Sequence, residues 1–280
     1  ITELDTGLEI CQPQSNLVIN IQPTQNGLSF TCVVMPFGEE GPALKPGVGN
    51  TSLTAEIKGV RVATERDLLR EEIAMDHLDR TSPAFLKMSD NVLIEDDLQS
   101  ALTVLEQLNS AIKQTDAELV LRWPKGKTIH LSQPLESNHL QVSLGKSKEW
   151  FDITGELQVS DQHVIDLRKL LELVSTSNGR FIRLEDQQVL ALSNDLRHKL
   201  DLLNQVTQDG SFHPLSSIQV EQATSGMRMK TLHAWEKQTQ AMHQANQITP
   251  EPPSTLQAQL RDYQLVGFDW VSRLAHWGAG

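Results

Sequence analysis

Two short turn signals, each set between runs that favour β-strands, constrain the fold of this chain more than any other feature. Asn26-Gly27 separates LVINIQ from LSFTCVVM, and Lys58-Gly59 separates LTAEI from VRVAT. Such pairs between strand-like runs are typical of β-hairpins. Apolar residues at helical spacing follow, and the two patterns then alternate irregularly. This irregular order predicts an α+β fold of mixed hairpins and helices rather than a doubly wound sheet.

Apolar residues at helical spacing predict five helices before the last segment. Further strands are predicted from ELVLRW, TIHLS, LQVSL and WFDITGELQV. The order of helix and hairpin over 163–206 also suggests a winged-helix-like unit. The residues predicted to face the core are Leu68, Leu69, Ile73 and Leu78; Leu98, Leu102, Leu105, Leu108 and Ile112; Val164, Leu167, Leu170, Leu171 and Val174; Leu196, Leu200, Leu203 and Val206; and Met229, Leu232, Trp235 and Met242.

The length and one proline-rich segment suggest how the chain is divided. Its 280 residues favour about two domains. We predict a subdomain of hairpins and helices over 1–112 and an α+β subdomain with a trailing helix over 113–246. QITPEPPST, at 247–255, has three prolines in nine residues. This composition predicts a stiff linker, which leads to a last helix within 256–280.

The net charge and the cysteine count limit the classes of function. The chain has 24 basic and 36 acidic residues, which gives a net charge of −12. A protein that encloses nucleic acid carries clustered Lys and Arg, so the chain as a whole does not fit that class. No run approaches the roughly 18 apolar residues of a membrane span, so no membrane partner is expected. Cys11 and Cys32 are the only cysteines, which favours a cytoplasmic location and leaves association with the nucleoid open.

One segment is basic although the chain is acidic. It contains five cations against the single acid Glu136, so its net charge is 5 − 1 = +4. Basic residues beside strands are candidates for contact with a DNA backbone, although solvated charges on hairpin turns are the simpler interpretation. The candidate residues are Arg122, Lys125, Lys127, Lys146 and Lys148.

The sequence contains no complete catalytic or metal-binding pattern. Its nine histidines show no His-x3-His spacing, and the two cysteines form no Cys-x2-Cys pair, so no metal site is predicted. GEEGPALKPGVG is rich in glycine but lacks the Gly-Lys-Ser/Thr of a phosphate loop. We interpret it as a loop between hairpins, and we predict no catalytic residue within the chain.

The last segment, LRDYQLVGFDWVSRLAHWGAG, resembles the entry to the ATPase core of Swi/Snf-type helicase-like proteins. Their pattern is Leu-Arg/Lys-x-Tyr-Gln, two residues, Gly, and then Trp with apolar residues at helical spacing. Several upstream pieces, including PFGEEGPALKPGVG, LRWPKGKTIHL and EWFDITGELQV, are similar more loosely to the helicase-associated region of bacterial members. The residues that match the entry pattern are Leu260, Arg261, Tyr263, Gln264, Gly267 and Trp270.

This resemblance implies an N-terminal accessory or regulatory region of a DNA-dependent ATPase, ending at the first helix of the ATPase lobe. Gln264 would read adenine, because an amide matches the donor and acceptor of that base. Arg261 and Tyr263 would help by stacking on the base or by positioning it. ATP and Mg²⁺ would be cofactors of the parent, and this fragment alone is predicted inactive and without a cofactor. The implied partners are its own ATPase lobes, double-stranded DNA through the parent and an unidentified protein.

Trp270 and Trp277 lie seven residues apart, with Leu274 on the same face. They are predicted to pack against the absent lobe, which would leave an exposed apolar stripe. The alternative function is a DNA-binding accessory module that uses the basic residues of 122–148 or the winged-helix-like unit. A self-contained enzyme has no motif in its favour.

Overall fold

The structure of this protein, a computed structural model, is α+β, as the sequence predicts. It describes residues 8–114, 119–147, 149–184, 187–231 and 233–276. Within these ranges the chain forms seven α-helices and fifteen strands, which are arranged in small mixed sheets. The chain divides into two compact units, residues 1–130 and 131–280.

The first unit contains two sheets and two α-helices. One sheet has the strand order β6-β3-β2-β7, with β7 parallel to β2. The other has the order β1-β5-β4, with β1 parallel to β5. The strands are β1 (Leu8–Ile10), β2 (Leu17–Pro23), β3 (Leu28–Val34), β4 (Ser52–Ile57), β5 (Val60–Glu65), β6 (Val92–Glu95) and β7 (Leu119–Arg122), and the helices are α1 (Leu68–Thr81) and α2 (Leu98–Gln114).

Both predicted hairpin turns are confirmed, and each depends on a glycine. Lys58 and Gly59, between β4 and β5, have φ values of 53° and 82°. Two successive positive φ values are typical of the tight turns that match the twist of a hairpin. Between β2 and β3, a Cβ on Gly27 would overlap the backbone carbonyl of Glu95 on β6. Gly27 is therefore required by the close approach of two strands.

The helix α2 forms as its spacing predicts. Leu102, Leu105 and Leu108 are buried, whereas Ile112, at the end of the predicted stripe, is 36% exposed. The side chain of Asp97 accepts a hydrogen bond from the backbone N–H of Ser100 at 2.8 Å, as expected of a helix N-cap. The hydrogen bonds from Ser100 lower the pKa of Asp97.

The inward face of α1 differs from the prediction because a buried ion pair determines it. Arg66 and Glu71 are 4% and 1% exposed, and Arg66 Nε donates to Glu71 Oε1 at 3.0 Å. Leu78 is buried on the same helix, as predicted. Leu69 and Ile73, predicted to face the core, are 66% and 60% exposed. Residues two positions from Glu71 lie on the far side of a helix, so burying Glu71 turns them outward.

The same ion pair holds the glycine-rich loop at 36–50. The guanidinium of Arg66 donates to the carbonyl oxygens of Lys45 and Val48 at 2.8 and 3.0 Å. Glu71 Oε2 accepts from the backbone N–H of Gly47 at 2.9 Å. This loop joins β3 to β4, which agrees with its interpretation as a connection between hairpins.

The first unit extends beyond the boundary predicted at 112/113. Leu17 of β2 is opposite Leu119 of β7 in parallel pairing. Residues 119–122 therefore complete the four-stranded sheet of the first unit, and the division between units follows His130. A parallel partner a hundred residues away leaves no local signal in the sequence.

The second unit contains two further sheets and five α-helices. One sheet has the order β11-β10-β9-β15, with β14 also paired to β10, and the other has the order β12-β13-β8. The strands are β8 (His130–Leu135), β9 (Leu140–Ser147), β10 (Trp150–Ser160), β11 (His163–Asp166), β12 (Phe181–Arg183), β13 (Gln188–Leu192), β14 (Ser211–Phe212) and β15 (Arg228–Lys230), and the helices are α3 (Leu167–Thr176), α4 (Asn194–Val206), α5 (Ser217–Ala223), α6 (His233–Gln247) and α7 (Asp262–His276).

An aromatic cluster lies in the core of the second unit. Phe151 and Phe212, on the paired strands β10 and β14, stack with ring centroids 5.6 Å apart. Trp235 of α6 meets both rings edge-on, at 5.5 and 5.6 Å. The predicted inward residues of α3 and α4 are buried except Val164, which lies on β11 and is 46% exposed, and Val206, which is half-buried.

Met229, predicted to face the core from a helix, lies on a strand that precedes α6. α6 starts at His233 because Arg228–Lys230 pairs in parallel with β9 as β15, and Leu232 lies outside the described residues. α7 starts at Asp262, beyond the predicted linker. The proline-containing segment between these helices nevertheless allows α7 to contact α6. Both helices belong to the second unit.

Candidate functional site

The last helix, α7, carries most of the residues that match the ATPase pattern, and none of its described side chains is buried. Tyr263, Val266 and Trp270 are 67%, 70% and 65% exposed. Because they are three and four residues apart, they lie on one face of the helix. Leu274 is half-buried, and Trp277 lies outside the described residues. α7 therefore presents an apolar stripe of Tyr263, Val266 and Trp270 to solvent. This stripe differs from the predicted one, of which it contains Trp270 but not Leu274.

Gln264 makes a structural contact that the sequence motif does not reveal. Its Oε1 accepts a hydrogen bond from the backbone N–H of Arg261 at 3.0 Å. Arg261 directly precedes α7, and its carbonyl accepts from the N–H groups of Gln264 and Leu265 at 2.8 and 3.0 Å. A Gln at the third helical position that reaches back in this way forms half of a capping box. The amide of Gln264 therefore helps to start α7.

Gln264, predicted to read adenine, and Arg261 and Tyr263, predicted to assist it, lie within four positions where α7 begins. Arg261, Tyr263 and Gln264 are all exposed. The Oε1 of Gln264 has a second lone pair, and its NH₂ group makes no hydrogen bond with the residues that the structure describes. An amide in this state can still present one donor and one acceptor to a base.

The predicted basic strip is divided between the two units. Arg122 is in the first unit, where its guanidinium donates to Glu39 Oε1 at 3.0 Å. Lys125 and Lys127 are exposed on a turn in which Lys127 N–H donates to the Pro124 carbonyl at 3.1 Å. The remaining candidates belong to the second unit: Lys146 is exposed on β9, and Lys148 lies outside the described residues.

A serine, a lysine and an aspartate, missed at the sequence level, form a hydrogen-bonded cluster in the second unit. Lys199 Nζ donates to Asp195 Oδ2 at 2.7 Å, and Ser137 Oγ donates to the same oxygen at 2.8 Å. These two hydrogen bonds lower the pKa of Asp195. Lys199 also donates to the Ser225 carbonyl at 2.7 Å. Lys199 Nζ donates to Ser137 Oγ as well, at 3.2 Å, so the three side chains are bonded to one another and link the segment before β9 to α4.

A groove in the second unit lies among β11, α3 and the β12–β13 hairpin. It has a volume of about 460 Å³. The predicted order of helix and hairpin is present here. However, α3 follows β11 directly, so the preceding helix of a helix-turn-helix is replaced by strands. The residues that line the groove are His163, Ile165, Lys169, Leu173, Arg183, Leu184 and Gln188.

Among the described residues, no group of three or more His, Cys, Asp or Glu side chains is placed to hold a metal ion. No helix in the same residues combines the length and the apolar character needed to cross a membrane. Comparison of the chain with protein-family models, with curated proteins and with solved structures finds no match.

Proposed function

We propose that this chain is an N-terminal accessory region of a DNA-dependent ATPase of the bacterial Swi/Snf type, and that α7 begins the ATPase lobe. The observation that most favours this proposal is the state of α7. Three residues that match the family pattern are exposed where α7 begins, namely Arg261, Tyr263 and Gln264. An apolar stripe that is exposed to solvent marks a surface that a partner can cover.

In this proposal the chain contributes the adenine side of an ATP site and not the phosphate side. Gln264 would pair with the edge of the base, and Tyr263 would pack against the base. The phosphates and Mg²⁺ would be held by a phosphate loop and an acidic motif of the parent. The folded units would dock against the motor and regulate its ATP turnover. The isolated chain would then have no ATPase activity.

The first test is the coding region that follows the codon for Gly280. The proposal requires a short strand and a Gly-Lys-Ser/Thr loop within about twenty codons. A stop codon, or a continued reading frame without this loop, would contradict the assignment to the ATPase family.

The second test measures the regulatory role in the parent. DNA-stimulated ATP turnover and DNA affinity are compared with and without residues 1–246, so that α7 is kept in both proteins. Docking predicts a change in turnover at saturating DNA. Equal turnover and equal DNA affinity would exclude regulation by the folded units, although the family assignment would stand.

The third test separates adenine reading from helix capping at Gln264. Gln264→Glu keeps an oxygen that can accept from Arg261 N–H but removes the amide donor. We expect the preference of the parent for ATP over GTP to fall by about tenfold, the scale of one good hydrogen-bonded pair with a base. Gln244→Ala, at an exposed glutamine of α6, is the control. An unchanged ATP/GTP ratio in Gln264→Glu would limit Gln264 to capping.

A DNA-binding accessory module is the second candidate. The exposure of Lys125 and Lys127 on one turn supports it. Gel shifts of the chain at two salt concentrations test it, because phosphate contacts weaken as salt rises. Replacing both lysines with Gln should weaken binding and reduce the salt slope by about 2, at about 1 for each phosphate contact. Lys87→Gln, at an exposed lysine of the same unit, is the control, and equal binding by all three proteins would exclude this turn.

A further inference from the structure

The groove beside α3 is built by residues that four elements bring together. His163 and Ile165 are two residues apart on β11, so both side chains lie on one face of the sheet. Lys169 and Leu173 are four residues apart on α3 and therefore share one face of the helix. The β12–β13 hairpin contributes the third side, where Leu184 N–H donates to the carbonyl of Gln188 at 2.8 Å.

The groove combines an apolar floor with a cationic rim. Ile165 is 5% exposed, and Leu173 and Leu184 are half-buried. Lys169 and Arg183 are exposed, and their side chains form no hydrogen bond or ion pair with any described residue. A ligand that fits must therefore have an apolar body and a negative charge.

Lys169 and Arg183 differ from three other arginines of the second unit, whose side chains have partners. Arg168, next to Lys169, donates to the Asp209 carbonyl at 3.0 Å. Arg180 lies over the Phe181 ring, 4.0 Å from its centroid. Arg197 is bound to Asp201 at 3.1 Å. These three cations have partners within the protein, whereas the two that line the groove have none among the residues that the structure describes. In a chain of net charge −12, two such cations at one concavity favour an anion.

We propose that this groove binds a small phosphorylated organic molecule of about mononucleotide size. Its volume of about 460 Å³ is in the range of small-molecule sites. Arg183 supplies a planar fork that matches a phosphate, and Lys169 supplies a compact charge. The leucines and Ile165 provide a surface for a flat or aliphatic body. A DNA backbone would leave this apolar floor without a partner, so the small ligand is favoured. The proposal does not depend on α7 or on the ATPase assignment.

The test uses calorimetric titration of the full chain at low salt with AMP, adenosine, inorganic phosphate and a 20-base-pair duplex as probes. We expect AMP to bind at least about tenfold more tightly than adenosine or phosphate, since only AMP engages both the rim and the floor. Lys169→Gln and Arg183→Gln should each weaken AMP binding by about tenfold or more, the usual effect of losing a charged hydrogen bond.

Three controls keep this test decisive. Lys146→Gln and Lys237→Gln, at exposed lysines outside the groove, should both leave AMP affinity unchanged. Unchanged thermal melting of Lys169→Gln and Arg183→Gln should show that both variants are folded. The proposal would be overturned if AMP did not bind, or if neither groove variant weakened AMP binding. It would also be overturned if the duplex bound through Lys169 and Arg183 while AMP did not bind. Loss of AMP binding in Gln264→Glu would instead assign the nucleotide to α7.

Discussion

The buried pair Arg66–Glu71 organises the first unit at the scale of single residues. Two opposite charges taken out of water are tolerated when their remaining donors and acceptors are satisfied. Here Arg66 also donates to two loop carbonyls, and Glu71 also accepts from Gly47. Removing one partner would leave an uncompensated charge inside the protein.

Glu71→Gln is therefore expected to lower the free energy of unfolding by about 3–5 kcal/mol. The double variant Arg66→Met/Glu71→Leu should cost less than the sum of the two single variants, because it leaves no isolated charge. Urea denaturation measures both effects. The control is Glu40→Gln, whose partner Lys58 is 72% exposed, and we expect a change within about 0.5 kcal/mol there. Equal losses for Glu71→Gln and Glu40→Gln would contradict this account.

The two cysteines are expected to differ in reactivity. Cys32 is 0% exposed, and burial, with a smaller effect of the charge on Asp79, raises the pKa of its thiol to about 12. Cys11 is half-buried. A thiol reagent at pH 8 should label Cys11 in the folded protein and both cysteines in urea. Rapid labelling of Cys32 in the folded chain would show that β3 is more accessible than described.

The same raised pKa makes stability depend on pH in the alkaline range. The unfolded thiol ionises near its ordinary pKa of 9.0, whereas burial raises the pKa of the folded thiol to about 12. The folded state therefore holds more protons between these values, so the contribution of Cys32 to stability falls as pH rises from about 9 to 12. Below pH 9 this contribution is fully present.

At the scale of elements, α6 is held to the second unit by Trp235. Trp235→Ala is expected to lower the free energy of unfolding by about 3–5 kcal/mol, because it empties the space beside Phe151 and Phe212. Trp150→Ala is the matched control, since Trp150 is 42% exposed and should cost less. Chemical denaturation with near-ultraviolet circular dichroism measures both. A larger loss for Trp150→Ala would contradict the described cluster.

Local sequence patterns predicted where helices and strands lie better than they predicted which faces of these elements are buried. The spacing of leucines indicated α2 and α4, and the turn at Lys58-Gly59 indicated a hairpin, because both signals lie within a few residues. The outward rotation of Leu69 and Ile73 could not be predicted, since it follows from burying Glu71. β15 was missed because it pairs with β9, far away in the sequence.

The candidate sites also divide into features with a local sequence signal and features that only the tertiary fold creates. The residues of α7 could be identified because the motif is contiguous. Its sequence did not indicate that Gln264 caps the helix. The groove had no sequence signal, because Lys169 and Arg183 come from elements that only the tertiary fold places side by side. The winged-helix-like prediction identified the helix and the hairpin, but not the concave surface between them.

At the scale of the whole molecule, each unit has its own buried apolar residues, so each is expected to unfold with its own midpoint. Glu71→Gln should shift the midpoint of the first unit, and Trp235→Ala that of the second. Hydrogen exchange followed by mass spectrometry at increasing urea can assign each transition to residues 1–130 or 131–280. A single transition that both variants shift equally would show that the chain unfolds as one cooperative body.

The loop at 36–50 shows that composition is a poor guide to how freely a segment can change. Surface loops usually accept deletions, because a change in loop length alters the closure entropy only slightly. This loop instead supplies the carbonyls of Lys45 and Val48 to a guanidinium in the protein interior. Shortening it by a few residues would withdraw these acceptors from Arg66. In evolution this loop is therefore expected to keep its length more strictly than its residue types.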